Sequence, residues 1–233
     1  MSVRLIIEKL HYHRGNFSLR TPHFALGESV IALLAGESGC GKSTFLKLCS
    51  GILKPESGSI HLIPKVSPAL MLQNPLYQVI SSKVYDELAF PLQNMQLSAR
   101  EIEARIQEAA ALWQIDALLG RNLHSLSLGE LQKVMLAVTL IMKRPLTLLD
   151  EPSSHLDSNS IARLYQILGQ ETKRGHSFII ASQNLFELHF CDELILMGRG
   201  EIAGHYKREE KALYKEKLSE WGLLFEKGDC SDN

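Results

Sequence analysis

Val30 to Ala35 is an unbroken run of six apolar residues, which suits a strand covered on both faces better than one with a wet side. Shorter apolar-rich runs at Val3 to Ile7, Pro22 to Leu26, Ser59 to Ile63, Ala69 to Leu72, Leu146 to Leu149 and Phe178 to Ala181 predict further strands. Helical spacing takes over between them. Phe45, Leu46, Leu48 and Cys49 recur on one side up to Gly51, a residue suited to ending a helix. Ile102, Ile106, Ala109, Ala110 and Trp113 share one face within a mostly helical stretch from about Ser81 to Ala137. Ile161, Leu164, Ile167 and Leu168 do the same between the strands at 146 and 178. This alternation is the βαβ pattern of an α/β fold with a parallel sheet, and the helical middle reads as an insertion entered after Gln73 and left near Lys143. Beyond Asp192, ELILMGRGEIAG predicts a hairpin turning at Gly198, Arg199 and Gly200, and Tyr214, Leu218, Trp221 and Phe225 form an apolar stripe on a charged helix.

Length and composition narrow this picture. With 233 residues, 45% of them apolar and 22% charged, the chain is sized for a single packed domain. Its 26 acidic and 25 basic residues leave a formal charge of −1, so the total carries no nucleic-acid footprint and no polybasic membrane patch. The longest apolar runs, Val30 to Ala35 and Val134 to Met142, fall short of the roughly 20 residues that span a bilayer. The opening MSVRLIIEKL lacks a signal-peptide core, and Cys40, Cys49, Cys191 and Cys230 show no metal-ligand spacing, so a reduced, cytosolic protein is expected.

Candidate chemistry begins right after the buried strand. Gly36-Glu37-Ser38-Gly39-Cys40-Gly41-Lys42-Ser43 matches GxxxxGK[ST], with a strand before it and a helix, starting near Thr44, behind it. Glycines let successive backbone N–H groups turn inward, and the helix N-terminus adds a partial positive charge toward bound phosphates. Lys42 would reach the β- and γ-phosphates and the Ser43 hydroxyl would ligate Mg²⁺. Leu146 to Leu149 ends in Asp150 and Glu151, adjacent acids that a strand sends to opposite sides. Asp150 would complete the metal shell, and Glu151 would orient and deprotonate the attacking water. Gln73 and Gln183 follow two other strands. Ligands of open parallel sheets sit beyond the carboxyl ends of strands, so four strand ends point polar groups at one crevice. In Leu126-Ser127-Leu128-Gly129-Glu130-Leu131-Gln132, Ser127 with Glu130 fits a capping box, which explains both residues without any ligand.

Taken together and in order, these motifs resemble the nucleotide-binding subunits of ABC transporters over nearly the whole chain. The phosphate loop, Gln73, the LSLGE signature at 126–130, Asp150-Glu151-Pro152 and Ser154-His155-Leu156-Asp157 all match. Gln73-Asn74-Pro75, followed by Gln78, Val84, Glu87, Ala89 and Phe90, is similar to the energy-coupling-factor ATPases that drive vitamin and metal-ion uptake. The resemblance implies one ABC ATPase domain over 1–233. It would have a P-loop parallel-sheet core, an antiparallel β subdomain, a helical subdomain at about 75–143 and a C-terminal hairpin and helix at about 192–227. It implies ATP and Mg²⁺ as cofactors, with Ser43, Gln73 and Asp150 at the metal and Lys42, Gln73, Glu151 and Gln183 in catalysis. It also implies a head-to-tail pair in which Ser127, Gly129 and Glu130 of one subunit close on ATP held by the other, with Asp157 at the same interface. The partners would be a second ABC ATPase and an integral membrane subunit whose coupling helices fill the groove near Gln73 to Phe90. The expected place is then the cytoplasmic face of a membrane, peripherally bound. The alternative is an ATP-binding regulatory subunit with a degenerate site that completes a partner's.

Departures from the family pattern matter as well. Leu128 stands where the signature carries glycine, and Gln183 replaces the histidine expected there, so that an amide that donates but carries no charge faces the γ-phosphate. Leu128 would burden the partner's ATP and Gln183 this chain's own, so a heterodimer with a related ATPase is favoured over a homodimer. Tyr12 and Arg14 are both placed to stack on adenine. Cys40 is either a thiol of lowered pKa in an electropositive loop or a small loop side chain.

Overall fold

The computed structural model describes residues 3–210 and Leu218. Of the C-terminal stripe, Leu218 is buried in the core, and Tyr214, Trp221 and Phe225 lie outside the described residues.

Among the described residues the strands are β1 (Arg4–Arg14), β2 (Phe17–Leu26), β3 (Ile31–Ala35), β4 (Ser57–Ile63), β5 (Ala69–Met71), β6 (Leu146–Asp150), β7 (Ser177–Ser182), β8 (Glu193–Gly198) and β9 (Glu201–Lys207). The α-helices are α1 (Lys42–Cys49), α2 (Val84–Asn94), α3 (Ala99–Trp113), α4 (Leu128–Ile141) and α5 (Ser158–Lys173). One sheet runs in the order β4-β1-β2-β9-β8-β3-β7-β6-β5. Strands β8, β3, β7, β6 and β5 are mutually parallel, whereas β4, β1 and β2 pair antiparallel. β9 joins the two parts, antiparallel to β8 and parallel to β2 at Arg20 and Glu201.

Every residue of β3 is buried because both faces of the sheet are covered. Alternation divides them: Ile31, Leu33 and Ala35 enter the core built with α2 to α5, while Ala32 and Leu34 enter the core that α1 shares with β1 and β2. β7 obeys the same rule, with Phe178 and Ile180 on the first side and Ile179 and Ala181 on the second. Helices α2, α3 and α4 fill the stretch read as inserted, and Ile106, Ala110 and Trp113 of α3 are buried in the first core. The hairpin β8–β9 turns at Arg199 and Gly200, both with positive φ.

β1 and β2 extend well beyond the apolar runs at 3–7 and 22–26. Their added residues alternate buried Leu10, Tyr12 and Leu19 with exposed His13, Arg14 and Arg20, and the turn between them at Gly15 has φ +59°.

Candidate functional site

The carboxyl ends of β3, β5, β6 and β7 open on one cleft of about 560 Å³, in the range of ordinary ligand sites. Ser38, Gly39, Gly41, Lys42, Ser43 and Thr44 form its floor, Gln73, Asp150, Glu151 and Gln183 one wall, and Tyr12, Arg14, Phe17, Ile52 and Leu53 the other end. The four predicted strand ends therefore do meet. Gly36, Glu37 and Cys40 support the loop rather than line the cleft.

Backbone proximity explains the glycines. A Cβ on Gly36 would lie 2.1 Å from the Met197 carbonyl oxygen on β8, and one on Gly41, whose φ is +115°, would lie 2.7 Å from the Phe17 ring. Gly200 N–H, in the hairpin turn, donates to the Cys40 carbonyl at 3.0 Å and pins the loop from beneath. Gly41 caps α1 without any side-chain bond, leaving the first N–H groups of that helix to the cleft. Lys42 is 7% exposed, and its ammonium donates to the carbonyls of Gly36 at 2.6 Å and Glu37 at 3.1 Å.

Asp150 is buried, and burial pushes its carboxyl above the usual range, against the pull of nearby Ser43, Lys47 and Lys42. A hydroxyl and a buried carboxylate side by side are hard oxygen donors that suit Mg²⁺. Among the described residues no group of three or more His, Cys, Asp and Glu side chains could hold an ion alone.

Glu151 sits just past β6 with φ +50°, a costly conformation for a non-glycine residue, and its N–H donates to Ala181 O on β7 at 2.8 Å. Burial raises its carboxyl pKa; Lys42 works against this, the charges of Glu187 and Asp150 add to it, and Gln183 opposes it. Its Oε1 is buried and has no hydrogen-bond partner among the described residues, which leaves an unpaired acceptor at the edge of the cleft.

Ser127, Gly129 and Glu130 do not line this cleft. The capping box is present: the Ser127 and Glu130 side chains each bond the other's backbone N–H, at 3.3 and 2.8 Å, and Arg121 holds Glu130 at 3.1 Å. Leu128, the first residue of α4, projects into solvent with 53% of its surface exposed. Asp157 caps α5 through Ser160 N–H at 2.8 Å.

Structure bears on two points that the residues alone left open. Cys40 is buried, and desolvation pushes its thiol pKa up despite Lys42, so the reading of a lowered pKa is reversed and the small loop side chain stands. Tyr12 touches the cleft but is 9% exposed and packs in the core, whereas Arg14 is exposed at the rim. Sequence reasoning missed Phe17, Lys47, Ile52 and Leu53. It also missed Gln132, fully buried on α4, whose amide donates to Pro152 O at 2.7 Å and Glu151 O at 3.4 Å. Gln132 ties the signature helix to the turn behind the acidic pair.

A glycine loop between a buried parallel strand and a helix, facing acids and glutamines from three further strand ends, defines a P-loop nucleotide-binding protein. Comparison with known proteins narrows the class. The sequence profile of the ABC transporter family matches residues 19–154, and the chain belongs to that family. A provisionally named ABC transporter ATP-binding protein of Treponema denticola is 34% identical over 200 residues, 78% of this chain, which spans 40% of that protein's length. The energy-coupling factor transporter ATP-binding protein EcfA of Carboxydothermus hydrogenoformans is 28% identical over 87% of this chain and 80% of its own length. The solved structure of cbiO1 from Clostridium perfringens, part of the ABC transporter complex cbiONQ, superposes with a TM-score of 0.78 at 27% identity, covering 95% of both chains.

Proposed function

We propose that this chain is the ATP-binding and ATP-hydrolysing subunit of an ABC-type transporter of the energy-coupling-factor kind, powering uptake of a vitamin or metal ion. The observation that carries it is the convergence of Lys42, Ser43, Gln73, Asp150, Glu151 and Gln183 on one cleft while Ser127 to Glu130 lie outside it. A site built for phosphates and a second anion-binding helix end pointing elsewhere suit a head-to-tail pair, each signature closing on the other subunit's ATP. Similarity to EcfA and cbiO1 supports the uptake class.

Within the cleft, the loop's N–H groups and Lys42 bind the phosphates, Arg14 with its planar guanidinium lies at the adenine end, and Gln73 and Gln183 orient the γ-phosphate. Ser43 and Asp150, with Gln73, would hold Mg²⁺, which would supply charge neutralisation at the phosphates. Glu151 takes the proton of a water attacking in line. An intact Glu151 with a free buried oxygen favours a hydrolysing subunit over a purely regulatory one.

No helix among the described residues is long and apolar enough to cross a membrane; in this reading the translocation path belongs to a partner. A groove of about 340 Å³ between α2 and α4, bordered by exposed Ile80 and Phe90 and lying beside exposed Tyr77, is the place for that partner's coupling helices. The chain would then sit peripherally on the cytoplasmic face. Purification of the tagged chain from membranes is expected to bring down an integral membrane protein and a second ATPase, in an assembly that hydrolyses ATP. Recovery of the chain alone, with no ATPase activity in any bound fraction, would refute the assignment.

Leu128 and Gln183 favour a heterodimer, because each ATP site would then carry one departure instead of two. Light scattering of the Glu151→Gln chain with ATP is expected to show a monomer, and a closed dimer only when the related ATPase is added. A tight homodimer whose wild-type form hydrolyses ATP at ordinary rates would count against this.

A further inference from the structure

Glu187 is a fully buried carboxylate in the short 3₁₀ segment Leu185–Phe190, four residues after Gln183. The Ser153 hydroxyl donates to its Oε1, and the Tyr165 hydroxyl donates to its Oε2 at 2.5 Å. Among the described residues no lysine, arginine or histidine pairs with it. An interior carboxylate is costly, and two neutral hydroxyls offset that cost less well than a cation would. An apolar side chain of similar size would fill the same space without the penalty, so packing does not account for the acid.

Its partners do. Ser153 lies two residues beyond Glu151, in the turn that Gln132 holds from the other side. Tyr165 belongs to α5, which Asp157 caps, and its ring stacks on Phe190 at 4.5 Å. The Cys191 thiol donates to the Glu187 carbonyl at 3.3 Å and fixes the acid's own backbone. One side chain thus grips the segments that carry Glu151, Asp157 and Gln183.

We propose that Glu187 is a positioning residue for ATP hydrolysis, holding the turn of Glu151, the start of α5 and the segment of Gln183 in one register through Ser153 and Tyr165. This rests on the reading of the chain as an ATPase. A base displaced by a fraction of an ångström loses rate without losing nucleotide affinity, so the effect falls on kcat.

The test is steady-state ATP hydrolysis by the assembled complex carrying single variants. Glu187→Gln is expected to lower kcat about tenfold with the KM for ATP within about twofold. Tyr165→Phe and Ser153→Ala each lower kcat by about threefold, and Ser153→Thr, which keeps the hydroxyl, recovers the rate that Ser153→Ala loses. If Glu187→Gln does not fold, the Ser153 pair and Tyr165→Phe decide the matter. Wild-type kcat in Glu187→Gln or Ser153→Ala overturns the proposal, as does a loss that follows melting temperature and vanishes on cooling. An inactive wild-type complex would instead overturn the ATPase reading and this proposal with it.

Discussion

Glu151→Gln is expected to bind ATP with affinity close to that of the wild type and to release phosphate at least about 10²-fold more slowly, the lower end of what a general base contributes. The substitution keeps the shape of the side chain. The left-handed backbone and the N–H bond to Ala181 are unchanged, and the neighbours of the buried Oε1 meet an atom of equal size. What disappears is the ability to accept a proton. Phosphate release under saturating ATP, beside equilibrium nucleotide binding, separates the two properties; an ordinary hydrolysis rate would remove Glu151 from the role of base.

Lys42→Ala should act one step earlier. Its ammonium now rests on the carbonyls of Gly36 and Glu37, neutral acceptors that a phosphate would outbid by charge. Each charged hydrogen bond to phosphate is worth about 1.5–3 kcal/mol, so losing two weakens ATP binding about 100-fold or more. Titration with a fluorescent ATP analogue measures this directly. The loop itself should survive, since Gly36 and Gly41 are seated by β8 and Phe17 rather than by the lysine, and a melting temperature near that of the wild type would show it. Undiminished affinity would mean that the lysine stays folded onto its own loop and never meets the nucleotide.

How legible these features were depended on whether their cause was local. β3, β6 and β7 are buried on both faces, so they stand out as continuous apolar runs, and the groups at their ends could be placed before any coordinates. β1 and β2 were only half visible because His11, His13, Arg14 and Arg20 interrupt the apolar pattern on their wetter face. Glu187 and Gln132 were invisible for a different reason. Both are polar residues with no exposed surface, and their partners lie far along the chain: Ser153 is 34 positions from Glu187, and Pro152 is 20 from Gln132. The one hint was an acid inside the apolar run of Leu185 to Phe190. For Cys40 the choice between a reactive thiol and a small loop side chain turned on burial, which a loop sequence does not reveal.

The β2–β9 joint bears on the order in which the cleft can be completed during synthesis. β1, β2 and β4 can pair early, because all three are near the start of the chain. Their strand hydrogen bonds to the parallel part run through β9, at Arg20 with Glu201, beside the packing of Phe24 on Phe45 of α1, and the phosphate loop receives its Gly200 support from that same hairpin. Until residues 193–207 have been made, the strand link that helps seat Arg14 and Phe17 opposite Lys42 is missing. A nascent chain would thus carry every residue needed to recognise ATP well before it could bind it, which leaves nucleotide capture to a nearly finished molecule.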